Sequence, residues 1–335
     1  MPTKKQNYVC VSGYGWSGSG ACIDILKEFD GFGSLQGEFR IAKDPYGLAD
    51  LEGSLIHNWD PIRSDVSIRN FISYCEVLGR KANLLTKVGK DFSNKLNIDF
   101  MLESRLYIFG LTSMMYLGDT SVHRYNIPAY KNIVMKIKSR LGKGNAKLMY
   151  FSKPKKTFFI HKTREYVDGL FRNYMDLKRI NTLILDQAVS PNNIIKTQKY
   201  FENAKVIIID RDPRDVYVEL TRNKKLIGPE LSIGNSVEKY IKWYIESRSA
   251  SIEDINDISM DEYVLRLHFE DLVLESDKSI EKIIKFLGNN DVHNNKGRYF
   301  NPYYSIKNIG LWKNYDNQDV MNTIGNELRK YCYRG

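Results

Sequence analysis

The sequence predicts an α/β fold, a central parallel sheet flanked by helices, with a large and mostly helical insertion. Three observations carry that expectation. Apolar segments without polar alternation recur at Tyr8–Ser12 (YVCVS), Thr182–Asp186 (TLILD) and Lys205–Asp210 (KVIIID), as in strands covered on both faces. Segments of helical periodicity follow each of them, and strands alternating with helices build parallel sheets. Between about 61 and 179 the alternation stops and helical spacing dominates, as in Ile68–Leu78 and Val167–Leu177. We take 1–335 as one domain and 61–179 as an insertion that shapes one side of a site.

The elements follow in order. Tyr8–Ser12 is a strand and Gly13–Gly20 a glycine-rich loop. Ala21–Phe29 interleaves Ile23, Ile25 and Leu26 with Asp24, Lys27 and Glu28, which suits a helix lying on a sheet. Gly31 and Gly33 stop it, and Ser34–Phe39 reads as a second strand. After the insertion, Pro191–Phe201 is a helix. Pro213–Arg222 starts with proline at a first helical position. Ser236–Ile252 is a long helix and Tyr263–Phe269 another strand. In Asp277–Leu287, Ile280, Ile283, Ile284 and Leu287 form one stripe, closed by Gly288.

Composition narrows the function. Four scattered cysteines (Cys10, Cys22, Cys75, Cys332) suit neither a disulfide framework nor a paired zinc site. No apolar run reaches the roughly 18 residues of a membrane helix. The start MPTKKQNYVCVSGYG makes a poor signal peptide, so a cytoplasmic location is expected. Net charge is +10, but 131–156 alone holds nine basic residues and no acidic one. The remainder is nearly neutral, so no general nucleic-acid footprint is expected.

The segment 12–20 (SGYGWSGSG) sits between strand and helix, where glycines allow close approach and a helix N-terminus faces an anion. Three phosphate-binding loops compete for it. The nucleotide P-loop fits poorly, because Ser19 stands where lysine is needed. Gly13, Gly15 and Gly18 match the dinucleotide pattern GxGxxG, with Glu38 placed 20 residues on as a ribose-binding acid. That reading predicts an NAD(P)-dependent Rossmann oxidoreductase. The third is a loop holding a 5′-phosphosulfate.

Later segments favour the third. Lys205–Tyr217 ends a strand in Arg211-Asp212-Pro213-Arg214-Asp215-Val216. Leu267-His268-Phe269-Glu270-Asp271-Leu272 precedes a helix ending Phe286-Leu287-Gly288, and Lys307-Asn308-Ile309-Gly310-Leu311-Trp312-Lys313-Asn314 follows. With Gly15–Gly20, these four blocks resemble, in order, the sulfotransferase family that uses 3′-phosphoadenosine 5′-phosphosulfate. The resemblance covers the two ends of the chain, about half of it. It implies a P-loop-like sulfotransferase fold and that compound as co-substrate, with no metal. It implies cofactor contacts from Gly15, Trp16, Ser17, Gly18, Ser19, Gly20, Ala21, Arg211, Arg222, Lys307, Gly310, Trp312 and Lys313. In it, Arg211 takes the 3′-phosphate and the Lys307–Asn314 loop closes over the nucleotide.

Some positions depart from the family pattern. Trp16 stands where lysine or arginine usually meets the leaving phosphate, so Arg40 or Lys313 would have to supply that charge, or the loop amides alone suffice. Glu219 replaces a serine on the 3′-phosphate and requires turning away or pairing with Arg222. These departures keep a third class open, a catalytically inactive protein that binds nucleotide or glycan.

Sulfuryl transfer needs in-line positioning, neutralised charge and a base for the acceptor proton. Glu38 is the first candidate, at the end of the second strand, where ligands bind in parallel sheets. Glu38-Phe39-Arg40 also looks like a short form of a segment in glycan-acting members. Asp186, ending TLILD, is the second candidate or else a helix cap; His57 and His161 are third. Asp215, Glu270 and Asp271 read as scaffolding. Trp312 either stacks on a purine or packs in the core. Tyr46, Trp59, Tyr303 and Tyr304 are candidates for a sugar platform. The expected acceptor is a hydroxyl of a glycan or glycolipid sugar. The basic segment 131–156 is a solvated helix, a site for an acidic polysaccharide, or a contact with an anionic membrane.

Overall fold

The structure is a computed structural model that describes residues 6–84, 88–120, 122, 125, 127–140, 146–223, 237–255, 262–288 and 292–335. It divides into two compact units, Met1–Ala42 with Met175–Gly335, and Lys43–Tyr174.

The first unit carries a five-stranded parallel sheet. Its strands are β1 (Asn7–Gly13), β2 (Phe32–Ser34), β5 (Thr182–Asp186), β6 (Ala204–Asp210) and β7 (Val264–His268). The order is β2-β5-β1-β6-β7, so the chain reverses direction of growth around β1. Ligands bind beyond the strand C-termini at such reversals. Register aligns those ends: Val11 lies opposite Asp186, Gly13 opposite Ile209, and Asp210 opposite His268.

One face of the sheet is covered by the helix Ser19–Leu26, whose Cys22, Ile25 and Leu26 pack with Val9, Val11, Ile207 and Ile209. The helices Phe269–Leu274 and Ser276–Leu287 complete that cluster through Leu272 and Ile283. Gly288 ends the latter helix at φ +118°, a conformation that a side chain would strain. A second cluster joins Pro213–Asn223, Val237–Ile255 and Gln318–Glu327 through Val216, Tyr240, Tyr244, Met321 and Ile324. Ser236, the expected start of the long helix, lies outside the described residues.

The second unit is built on the helices Pro61–Gly79, Phe100–Leu111 and Lys156–Lys178. Their contact is aromatic: Tyr107 and Tyr166 stack at 4.5 Å, with Phe71 edge-on to both. The hydroxyls are satisfied internally, Tyr166 by Ser104 and Tyr107 by Thr163, each at 2.7 Å. An antiparallel hairpin of β3 (Met114–Gly118) and β4 (Lys147–Phe151) was not expected from the helical periodicity. Buried Asp65 ties it to Pro61–Gly79, accepting from the Tyr150 amide and from Arg69 Nε, both at 2.9 Å.

The second strand differs from its expected span. It occupies Phe32–Ser34, not Ser34–Phe39. Leu35 and Phe39 still donate to the carbonyls of Ile184 and Asp186, but Gly37 at φ +89° turns the chain out of the ladder. Glu38 therefore sits in a loop beyond β2, moored beside the end of β5.

Candidate active site

The loop between β1 and Ser19–Leu26 is shaped by its glycines. Gly15 (φ +88°), Trp16 (φ +51°) and Gly18 (φ +81°) take left-handed backbone conformations in succession. A Cβ on Gly18 would run into the Phe269 ring, and one on Gly13 into the Ser17 hydroxyl. Gly18 caps the helix, whose first turn carries no acidic residue. Its free amides and partial positive charge are unopposed there. Around Gly20 the space is open and exposed.

Arg211 follows β6 and is buried at 5% exposure. Its Nη1 donates to the carbonyl of Trp16 at 2.9 Å and its Nη2 to that of Asn308 at 2.6 Å. One guanidinium thus clamps the glycine loop to the C-terminal loop. The plane also lies 5.1 Å over the Phe269 ring. Its Nε is buried and has no hydrogen-bond partner among the described residues. Glu219 Oε1 lies 3.8 Å from Arg211 Nη2, while its Oε2 accepts from Asn223 at 3.1 Å. The carboxylate is therefore paired with Arg211 and Asn223, and Arg222 is exposed on the same helix.

Asp215 fixes the C-terminal loop. Its carboxylate accepts from the Gly310 amide at 2.8 Å and the Trp312 amide at 3.1 Å. Burial pushes its pKa up, opposed by those two amides. Gly310 is left-handed at φ +72° and opens the short turn Leu311–Asn314. The Arg214 guanidinium lies 3.8 Å from the Trp312 ring centre and chelates Asp212 at 2.9 and 2.6 Å. One face of Trp312 is thus already covered by a cation. Trp16, in the position expected to be basic, packs with Leu311 and Trp312 on the cluster around Tyr217. Lys307 and Lys313 are exposed.

Three residues escaped the sequence reading. Arg248, at 5% exposure, lies 4.3 Å over the Tyr14 ring of the glycine loop and 3.3 Å from that of Tyr244. Tyr244 in turn donates to the carbonyl of Arg211 at 3.3 Å. Arg266 pairs with Asp210 at 3.2 Å and donates to the Tyr14 hydroxyl at 3.5 Å. The signal was Tyr14 itself, a ring inside a glycine loop, but its partners come from distant segments.

Glu38 and Arg40 face each other at 3.5 Å and are both half-exposed. Asp186 ends β5, its carbonyl accepting from the Phe39 amide. The two candidate bases therefore share one end of the sheet. His57 pairs with buried Glu52 at 3.3 Å, and His161 with Glu165 at 3.2 Å, both in the second unit. Tyr303 and Tyr304 are exposed neighbours with ring centres 6.1 Å apart. Tyr46 and Trp59 belong to the second unit, where the Trp59 indole donates to the Ser152 carbonyl.

Glu270 is the most perturbed carboxyl with a printed structural role. Burial, with Asp212 and Asp215 nearby, pushes its pKa up to about 7, against the pull of the Asp212 amide. Its Oε1 accepts from that amide at 2.9 Å, and its Oε2 lies 3.9 Å from His268 Nδ1. It holds the Arg211–Pro213 turn, as scaffolding should.

Comparison with known proteins follows this geometry. Residues 145–301 match the family model described as the sulfotransferase domain. That span contains Arg211, Asp215 and Glu270; the glycine loop and Lys307–Asn314 lie outside it. Among solved structures, the sulfotransferase domain from the curacin biosynthetic pathway aligns over 98% of this chain and 99% of its own, at 13% identity and TM-score 0.45. Sulfotransferase STF9 from Mycobacterium avium aligns over 97% and 76%, at 13% identity and TM-score 0.38. Retinol dehydratase, solved with androsterone and the inactive cofactor PAP, aligns over 98% and 82%, at 13% identity and TM-score 0.36. Comparison with curated proteins gives no match. Through the domain at 145–301, the chain belongs to the sulfotransferase family.

Proposed function

We propose that this chain moves a sulfuryl group from 3′-phosphoadenosine 5′-phosphosulfate to a hydroxyl of a glycan or glycolipid sugar. The observation that carries the donor assignment is the Arg211 clamp. A buried guanidinium joins the glycine loop to the C-terminal loop and keeps a buried Nε–H without a partner among the described residues. Unpaired buried donors are costly, and a phosphate oxygen is their natural acceptor. The donor compound supplies an activated sulfuryl group on a phosphate leaving group.

This chain's residues do the rest. The amides of Gly18–Ala21 face the 5′-phosphate, and Ser17 and Ser19 flank it. Arg211 takes the 3′-phosphate, with Lys307 and Arg222 adding charge at the surface. Asp215 holds Gly310 and Trp312 so that the C-terminal loop can cover the nucleotide. Glu38 accepts the acceptor's proton as the new oxygen–sulfur bond forms, and Asp186 is the alternative base. Arg40 or Lys313 neutralises charge that the loop cation would otherwise meet. The sugar acceptor rests on the Glu38-Phe39-Arg40 segment and on exposed Tyr303 and Tyr304.

Calorimetric titration with 3′,5′-adenosine bisphosphate, with NAD in parallel, tests the donor. Bisphosphate binding without NAD binding is expected. NAD binding alone would return the glycine loop and Glu38 to the oxidoreductase reading.

A further inference from the structure

The helix Ala129–Arg140 (AYKNIVMKIKSR), in the second unit, buries none of its residues. Projected at the helical period, Tyr130, Ile133, Val134 and Ile137 share one stripe about 100° wide. Lys131 and Lys138 border it on one side, Lys136 and Arg140 on the other. The stripe faces no core: these four residues are 63%, 58%, 47% and 51% exposed. A helix that serves a fold puts its apolar stripe against the fold. This one presents the stripe to solvent between two rows of cations.

That pattern selects the occupant. A polyanionic chain would use the cations and leave the apolar stripe in water. An anionic bilayer uses both, taking the stripe among its acyl chains and the flanking ammonium groups at the headgroups. Charge complementarity extends along the sequence, since 131–156 contains no acidic residue. The same unit carries further exposed apolar side chains on β3, Met114, Met115, Tyr116 and Leu117. We infer that Ala129–Arg140 is an interfacial helix that docks this protein on anionic lipid surfaces, lying in the plane of the headgroups. The inference is independent of the donor and acceptor assigned above.

The test is flotation of the full chain with vesicles of phosphatidylcholine, alone or with about 30% phosphatidylserine. The expected result is binding to the anionic vesicles only, weakened by salt. The double variant Ile133→Asp, Ile137→Asp should lose binding with every cation intact. Replacing Lys131, Lys136, Lys138 and Arg140 by Ala should lower vesicle partitioning about fivefold per charge, more than 100-fold together. All six side chains are exposed, so far-UV circular dichroism and melting temperature should match the parent protein for both variants. Absence of binding by the parent protein would overturn the proposal. So would unchanged vesicle binding by the Ile133/Ile137 variant. Binding to a polysulfated polysaccharide alone, indifferent to the isoleucines, would assign the segment to a glycan instead.

Discussion

Replacing Arg211 by Lys separates charge from geometry at the centre of the site. The positive charge opposite Glu219 survives, while the fork that reaches two carbonyls is lost. Nη1 and Nη2 bond Trp16 and Asn308 at 2.9 and 2.6 Å from opposite ends of a planar group. A single ammonium on a flexible stem can keep at most one of them. A hydrogen bond from a charged donor is worth about 1.5–3 kcal/mol, so stability should fall by about 2–3 kcal/mol in urea denaturation. The two loops would then no longer be held in register, and the Nε–H aimed at phosphate disappears. Affinity for 3′,5′-adenosine bisphosphate should fall about 100-fold, the loss that 2–3 kcal/mol implies. Calorimetry on the folded variant measures this directly. If the Lys variant binds within threefold of the parent protein, charge alone suffices and the clamp argument is wrong.

Other perturbations probe separate links. Gly18→Ala forces a Cβ into the Phe269 ring at a left-handed position; we expect a loss of about 2–3 kcal/mol by urea denaturation and weakened nucleotide binding. Glu38→Gln should abolish turnover while bisphosphate binding persists; retained turnover would transfer the base role to Asp186, with Asp186→Asn as the deciding variant. Glu270 gives a pH signature. Its folded pKa is raised from the ordinary carboxyl range to about 7, so the native state binds the extra proton. Its contribution to stability is full below pH 4.5 and declines as pH rises to about 7, by up to roughly 3 kcal/mol. The difference in stability between Glu270→Gln and the parent protein should follow that curve between pH 5 and pH 8, and a pH-independent difference would contradict it.

The parallel sheet was legible because its strands write burial directly: Val206–Ile209 is apolar and unalternating, as a strand covered on both faces must be. The phosphate loop was legible for a similar reason, since only glycine is comfortable where a side chain would strike Phe269. What failed was local in appearance and long-range in cause. Leu35 and Phe39 continue an apolar pattern, yet one left-handed residue, Gly37, ends the ladder before them. The hairpin of Met114–Gly118 with Lys147–Phe151 pairs segments separated by a basic helix, and no periodicity announces a partner that far away. Arg248 looks like one more charge on an amphipathic helix. It is buried only because Tyr14 and Tyr244, from distant segments, close on its guanidinium. Arg211 was found as a residue but not as a clamp, because its partners are backbone carbonyls that no motif spells.

Trp16 poses the remaining chemical problem, since an indole cannot neutralise a leaving phosphate. The structure gives it another task, packing with Leu311 and Trp312 on the Tyr217 cluster and so bracing the glycine loop against the C-terminal loop. The charge must then come from elsewhere, and the candidates differ in what they would leave behind. Arg40 lies 3.5 Å from Glu38 in a half-exposed pair. Such a pair is worth at most about 1 kcal/mol, so an arriving anion can draw the guanidinium away at little cost. That exchange would leave Glu38 unpaired beside the acceptor hydroxyl, where a base is needed. Lys313 has no such coupling; it extends from the turn that Asp215 pins. Arg40→Ala should therefore depress kcat far more than KM and alter the acidic limb of the kcat profile, because it changes the partner of the base. Lys313→Ala should raise the KM for the sulfuryl donor and leave that limb in place. The reverse pattern would assign the missing cation to the C-terminal loop and detach Arg40 from the chemistry.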